Sequence, residues 1–323
     1  MSTNKNQLES QDLIKNLIGS TKFNISKHSR SIGVSRQTYQ NKLDGLRKKK
    51  IISNFTININ PNILPNNLKY VMIEIKTNPK EPVLVNKLLK IPQLRMLDGI
   101  IGEFSLFALF IFKSPQEYYN ILNTIDRIMS KSYFKKYQII ETIKVFKTNG
   151  ISLDKFNSEN ISLNIELDDI DFNILTILRD GQGLKPISTY EIREFFNEKL
   201  DIELSQSTIH NRIKRLEKNG VILNYAVNFS PPKIGFKGKY LLRIKPKDPS
   251  KYRDIALKLE KSRNITDLFR IGEQYGLFAI VRVKEIEDYA KFIRDLYSSV
   301  EIEDTYTNFV LDELIVFTNF IIS

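Results

Sequence analysis

The chain has 323 residues, 49 Lys and Arg against 37 Asp and Glu, a net charge of +12 and a mean hydropathy of −0.26, which leaves room for two or more domains with cores of their own. It contains no cysteine, which excludes disulfides and thiolate metal sites, and no apolar run near the roughly 18 residues of a membrane span. The polar start MSTNKNQLESQDL predicts no secretory signal, so a cytoplasmic location is expected. The basic excess predicts a polyanionic partner and is unevenly placed: residues 1–160 hold 25 bases and 12 acids, or +13, leaving −1 for residues 161–323.

In chain order, apolar positions at helical spacing predict helices over Leu8–Leu17, Ile25–Ile32 and Ser35–Lys49, then an extended stretch over Ile51–Ile59. A strand, helix, strand, strand, helix, strand series follows over Lys69–Lys76, Pro82–Leu89, Leu94–Ile101, Ser105–Phe112, Pro115–Met129 and Tyr137–Phe146. The order then restarts. Asp168–Arg179 places Ile170, Ile174, Leu175 and Leu178 at helical spacing, with acids in its first turn and Gly181 after its end. Ser188 and Glu191 form a capping box that opens TYEIREFFNEKL. Ser205 caps a third helix that runs to about Lys218, with Ile209, Ile213 and Leu216 as its apolar stripe and Asn219-Gly220 as its stop. Val221–Phe229 is apolar and β-branched, with room for a two-stranded wing. The last series, Lys239–Ile244, Pro249–Ser262, Ile265–Ile271, Leu277–Val283, Ile286–Ser299 and Thr305–Val316, repeats the βαββαβ order of a split βαβ, ferredoxin-like domain. The predicted fold class is α+β, with two copies of a winged helix-turn-helix followed by a ferredoxin-like domain. The expected boundaries are 1–62, 63–160, 161–230 and 231–323.

The restart is a duplication. Val34–Leu43 (VSRQTYQNKL) aligns without a gap to Leu204–Ile213 (LSQSTIHNRI) at an offset of 170. Over 34–52 against 204–222, six of nineteen positions are identical: Ser35/Ser205, Thr38/Thr208, Asn41/Asn211, Leu46/Leu216, Lys48/Lys218 and Ile52/Ile222. The same offset pairs Gly102-Glu103 with Gly272-Glu273. One residue later, Leu106-Phe107-Ala108 pairs with Leu277-Phe278-Ala279 and Val145-Phe146 with Val316-Phe317. A register held over more than 100 residues marks an internal repeat.

In a helix-turn-helix the start of the third helix enters the major groove while its other face packs on the core. With Tyr39, Leu43 and Leu46 turned inward, Arg36, Gln37, Gln40 and Asn41 face outward in copy one; Gln206, Ser207, His210, Asn211 and Lys214 are the counterparts in copy two, behind the caps Ser35 and Ser205. Arg reads guanine bidentately, and Gln or Asn reads adenine. The competing reading is an ordinary solvated helix face. Arg47, Lys48 and Lys49, continued by Lys50, either contact phosphate or complement the helix dipole unaided. Asp44 aligns with Lys214, so the two helices differ enough to predict unlike half-sites. Gly102-Glu103-Phe104-Ser105 and Gly272-Glu273-Gln274-Tyr275-Gly276 read as hairpin turns. The strand Leu106–Phe112 (LFALFIF) is apolar on both faces, so it is buried twice over or sits at an interface.

A winged helix followed by this α+β unit, with Gly-Glu between its middle strands, resembles the Lrp/AsnC family of feast/famine regulators. The resemblance covers both copies and is carried best by LSQSTIHNRIKRLEKNGVI (204–222) and IGEFSLFALF (101–110), where the family tends to have G-D/E-Y-D. It implies transcriptional regulation through sequence-specific binding of double-stranded DNA, and α+β domains of the RAM type. It also implies self-association through those domains, as a pseudo-dimer within one chain or a homodimer. A small-molecule effector such as an amino acid would lie at Gly102, Glu103, Ser105, Gly272, Glu273 and Tyr275. Both copies depart from the family's last position, with Ser105 in one and an inserted residue in the other.

Two other functions compete with this one. Sirohaem decarboxylases resemble the same architecture, but tend to carry a His-Asn-Tyr run at the end of the second α+β strand and a Trp on the next. Here that stretch is Asn264–Arg270 (NITDLFR), copy one has Leu94–Asp98 (LRMLD), and the chain has no Trp. A scaffold whose winged helices bind only proteins is the other alternative; it predicts no salt-dependent DNA affinity. The only histidines are His28 and His210, on different predicted helices, so His/Cys metal clusters and Cys–His dyads are excluded. Asp168-Asp169-Asp171 reads as a helix first turn, and Asp180-Gly181-Gln182-Gly183 as a helix stop without the Lys-Ser/Thr of a P-loop. No catalytic residue, metal or cofactor is predicted.

Overall fold

A computed structural model describes residues 2–19, 22–62, 68–78, 81–154, 165–298 and 301–322. In copy one the elements are α1 (Ser2–Leu17), α2 (Ile25–Ser31), α3 (Arg36–Lys48), β1 (Ile52–Ile59), β2 (Lys69–Ile75), α4 (Pro82–Leu88), β3 (Leu94–Ile100), β4 (Leu106–Phe112), α5 (Pro115–Met129), β5 (Tyr137–Thr148) and β6 (Ile151–Ser152). Copy two gives α6 (Asp169–Asp180), α7 (Thr189–Leu200), α8 (Gln206–Lys218), β7 (Ile222–Phe229), β8 (Gly238–Pro246), α9 (Tyr252–Leu259), β9 (Ile265–Ile271), β10 (Leu277–Val283), α10 (Ile286–Tyr297) and β11 (Ile302–Glu313). The chain divides into two compact units, each drawn from both copies: Met1–Pro65, Lys155–Gly235 and Phe317–Ser323 form one, and Asn66–Asp154 with Phe236–Val316 the other.

The first unit holds the two three-helix copies. Local caps fix where the helices start: Ser35 accepts from Thr38 N at 3.1 Å, Ser205 from Thr208 N at 3.0 Å, and Ser188 and Glu191 close their capping box. Among the described residues the expected two-stranded wing is not formed within either copy. Each copy supplies one strand after its third helix, and β1 and β7 pair antiparallel with each other. The register sets Thr56 opposite Ala226, residues that the repeat offset of 170 makes equivalent; a strand facing its own repeat is what a pseudo-twofold axis requires. Matching backbone bonds flank the axis, Tyr225 N to Gly19 O at 2.8 Å and Phe55 N to Gly183 O at 3.0 Å. Ile57 of β1 is buried in the core of copy two, among Ile174, Leu178, Ile192, Phe196 and Leu216. The copies are therefore interlocked through β1.

The second unit holds the two βαββαβ copies. Their strands run in the order β2-β4-β3-β11-β8-β10-β9-β5, and β2 also pairs with β5, so the eight strands close into a ring from which β6 extends. Closure depends on β5 and β11, twelve residues each. β5 pairs with β2 over its first half and with β9 of copy two over its second. β11 pairs first with β8 and then with β3 of copy one. Phe146 accordingly packs in the core of copy two, and Leu314 and Ile315 against that of copy one. This exchange also moves β11 ahead of its expected bounds, Thr305–Val316. Val316-Phe317 lies past the strand's end, whereas Val145-Phe146 lies within β5. Pro249–Lys251, expected as helix, is a separate 3-10 turn before α9.

Strand periodicity sorts side chains between two layers. In copy one, Val71, Ile73, Ile75, Leu106, Ala108 and Phe110 face α4 and α5, packing with Leu84, Leu88, Ile125 and Met129. The alternate residues fill the inside of the ring, so LFALFIF is buried on both faces. Phe107 and Phe278, equivalent in the repeat, stack there with centroids 5.3 Å apart and planes 7° apart. Glu74 lies opposite Phe107, and Arg243 opposite Phe278. They are equivalent positions of opposite charge, and Arg243 Nη2 meets Glu74 Oε1 at 2.7 Å with both side chains at most 6% exposed. A second buried group gathers Lys239 Nζ at 2.7 Å from Asp98 and 3.2 Å from Glu313, with Arg282 Nη2 at 2.6 Å from Glu313. Burial alone would push the Glu313 carboxyl up, but Arg282 and Lys239 outweigh it and hold it at about 2. Burial dominates at Asp98 and Asp267 and raises both.

Two outcomes are expected from urea unfolding. Glu74→Arg, which sets two arginines face to face, should destabilise by about 3 kcal/mol or more, and adding Arg243→Glu should recover over half of that loss; additive losses would show that the pair is not coupled. Glu313 has its folded pKa below the ordinary value of about 4.3, so its ionised form contributes stability above that pH and loses it as pH falls toward 2. The contribution is on the order of 3 kcal/mol. Glu313→Gln should be less stable at neutral pH and should flatten the fall between those values; an unchanged acid slope would refute the assignment.

Candidate nucleic-acid interface and effector cavity

The third helix of each copy buries one stripe and exposes the other. Tyr39, Leu43 and Leu46 are buried in α3, as are Ile209, Ile213 and Leu216 in α8. Along α3 the caps and polar residues Ser35, Arg36, Gln37 and Asn41 are exposed and Gln40 is half-buried. Gln37 Nε2 donates to Asn41 Oδ1 at 3.0 Å, and Gln40 Nε2 to Asp44 Oδ1 at 3.1 Å. On α8, Ser205, Gln206, Ser207, His210, Asn211 and Lys214 are all exposed. Ser205 Oγ lies 2.8 Å from Ser207 Oγ, and Lys214 Nζ 2.8 Å from Glu217 Oε2.

The basic run at the end of α3 divides. Arg47 is turned into the fold, with Nη1 donating to Asp44 Oδ1 at 3.0 Å and Nη2 to the Leu184 carbonyl of copy two, whereas Lys48, Lys49 and Lys50 are exposed. Copy two is more self-neutralised: Arg212 bonds Asp168 and Asp171 at 2.8 and 3.0 Å, and Arg215 bonds Asp171. Asp168 and Asp171 of the Asp168-Asp169-Asp171 turn therefore hold α8 through its arginines. Lys50 has φ 53°, in the left-handed region, at the position where copy two has Gly220 with φ 65°. In both copies the next amide reaches back to close the helix, Ile51 N to Leu46 O and Val221 N to Leu216 O, each at 2.9 Å.

The Gly-Glu loops border a cavity of about 350 Å³ within the second unit. Glu103, Glu273 and Tyr275 line it, together with Glu74, Phe104, Gln138, Arg243, Tyr306 and Asn308. Gly102 stands at the rim with φ 144°, where a Cβ would come within 3.2 Å of Asn308 Nδ2. Ser105 points away, its Oγ accepting from Thr77 N at 2.7 Å, and Gly272 N donates to Glu141 O at 3.0 Å. Arg243 is held on three sides: Nε to Glu273 at 2.7 Å, Nη2 to Glu74 at 2.7 Å and Nη1 to Asn308 Oδ1 at 3.1 Å. Burial pushes the Glu273 carboxyl up despite the adjacent guanidinium. The Lys136 bond holds Glu103, at the mouth, below the ordinary range. Sequence reasoning missed Glu74, Arg243, Tyr306 and Asn308. The available signal was a charged residue inside each of two apolar strands, KYVMIEI and KYLLRI.

The Lrp/AsnC ligand binding domain family matches residues 240–319. The HTH-type transcriptional regulator FL11 of Pyrococcus furiosus is 34% identical over 147 residues, covering 45% of this chain and 89% of that protein. The chain belongs to the Lrp/AsnC family. The HTH-type transcriptional regulator Ptr1 of Methanocaldococcus jannaschii is 31% identical over 146 residues, 45% of this chain and 92% of that protein. Each of these Lrp/AsnC relatives is thus matched nearly whole by under half of this chain, as expected where one chain holds two copies. Among solved structures, the siroheme decarboxylase NirDL superposes with a TM-score of 0.59 over 96% of this chain and 91% of that one at 12% identity, which is a likeness of fold alone. Among the described residues no helix is long and apolar enough to cross a membrane.

Lys50→Gly should raise stability by about 0.5–1 kcal/mol, because a side chain in the left-handed region costs about 1–2 kcal/mol and glycine gives part of that back as unfolded-state entropy. Thermal unfolding of the variant reads the sign; destabilisation would show that the Lys50 side chain makes compensating contacts.

Proposed function

We propose that this chain is a sequence-specific DNA-binding transcriptional regulator, cytoplasmic and without enzymatic activity. Residues 1–62 and 161–230 act as two helix-turn-helix heads that share the β1–β7 ribbon in place of separate wings, and residues 63–160 and 231–323 as the paired RAM-type assembly and effector domains. The observation that carries this reading is the pair of exposed polar rows on α3 and α8, presented by two three-helix units that are tied together through β1 and β7. The names of the FL11 and Ptr1 relatives support it. Arg36, Gln37, Gln40 and Asn41 would read one half-site, and Gln206, Ser207, His210, Asn211 and Lys214 the other. Lys48 and Lys49 would hold phosphate. Arg47 is the weakest of the residues assigned to DNA, since Asp44 and Leu184 already occupy its guanidinium. The effector reading places a small molecule such as an amino acid in the cavity beside Glu103, Glu273 and Tyr275.

Genomic fragments titrated with the full chain at several salt concentrations test this. Selective retention should weaken steeply as salt rises. Arg36→Ala and Asn211→Ala should each cost about 1–3 kcal/mol at one base-pair position and relax specificity there. Lys48→Ala should weaken all sequences alike and lower the salt slope by about 1. Binding to no fragment above background at low salt would sink the regulator reading and leave the protein-binding scaffold.

A further inference from the structure

The cavity beside the Gly-Glu loops has a charge imbalance that limits what it can hold. Two buried or half-buried carboxylates, Glu74 and Glu273, share one guanidinium, that of Arg243. Asn308 takes the third side of that guanidinium, which also lies 5.4 Å from the Tyr306 ring and 5.6 Å from Phe278. Glu103 at the mouth is matched by Lys136 at 2.6 Å. Asp304 accepts from the Tyr275 hydroxyl at 3.3 Å. Lys245 is taken by Glu303 at 2.8 Å. The interior therefore keeps one carboxylate more than its cations answer, in a space of about 350 Å³ walled by Phe104, Tyr275 and Tyr306. Ligand cavities run from about 300 Å³ upward, and carboxylates set among aromatic faces recognise organic ammonium groups. Among the described residues no group of three or more acids and histidines is close enough to hold a metal ion. At the mouth Lys136 and Lys76 both act on Glu103. Inside, the Arg243 guanidinium is already bound to Glu74 and Glu273, so a ligand carboxylate that enters the cavity meets two acids and no unengaged cation among the lining residues.

We propose that the cavity takes an organic amine without a carboxylate, a small alkylamine or diamine, with its ammonium against Glu74 and Glu273 and its chain along Phe104, Tyr275 and Tyr306. The proposal rests on the effector reading of the paired α+β domains and changes the ligand class from zwitterion to cation. Calorimetric titration of the full chain, without DNA, with diaminobutane, pentylamine and leucine tests it. The amines should bind at least about tenfold tighter than leucine, and Glu273→Gln should lose about tenfold or more in amine affinity, as expected for a hydrogen bond to a charged group. Tyr275→Leu, at a partly exposed wall position, should weaken the amines several-fold with the thermal midpoint unchanged, and it stands in if Glu273→Gln does not fold. Leucine binding as tightly as the amines, or tighter, overturns the cation assignment and keeps the effector site. Binding of none of the three, with DNA binding intact, overturns the effector site as well. Wild-type amine affinity in a folded Glu273→Gln or in Tyr275→Leu moves the ligand out of this cavity.

Discussion

The strand exchange made by β5 and β11 sets the terms for everything else in the α+β pair. A lone four-stranded βαββαβ sheet has two open edges and one face without helices. Open edges invite pairing with other chains. Here each copy's last strand crosses to the other copy's second strand, all four edges are satisfied, and the two helix-free faces meet inside a ring. Residues that would be solvated on a single sheet become interior. Charges among them, including Glu74, Asp98, Lys239, Arg243 and Arg282, are then buried, with Glu313 nearly so, and each is costly wherever no other group answers it.

Duplication within one chain changes what such an interior can contain. A homodimer places identical residues on its axis, so a charge there faces its own kind. Two copies on one chain can diverge, and the equivalent positions Glu74 and Arg243 have become complementary. The same freedom shows in the helical unit, where Asp44 aligns with Lys214 and Lys50 with Gly220. It shows again in the uneven charge of the two halves, where the arginines of α8 are answered by Asp168, the cap of α6, and by Asp171 within it.

The parts of the fold that were legible in the sequence are those set by nearby residues. Ser188 with Glu191, Ser205 with Thr208, and the apolar stripes of α3 and α8 are local, and the structure places them within a residue or two of their expected positions. The unbroken apolar run of β4 correctly implied burial on both faces. Apart from the local 3-10 turn at Pro249–Lys251, what differs depends on the other copy. The wing was misread because the partner of β1 lies 170 residues away in β7. The bounds of β11 shifted because β3 captures its second half. Arg47 read as a surface cation because the Leu184 carbonyl that binds it comes from copy two. Glu74 and Arg243 are unremarked charges in their own strands and form a site only when the ring closes.

The pairing of β1 with β7 has a consequence for dosage. Two heads carried by one polypeptide meet at an effective concentration set by the intervening chain, and not by the number of molecules in the cell. Dilution cannot separate them. In the proposed reading, occupancy of a two-head site rises with the first power of chain concentration, where a regulator assembled from separate single-head subunits would respond more steeply. In that reading the duplication would replace a concentration threshold with a graded response.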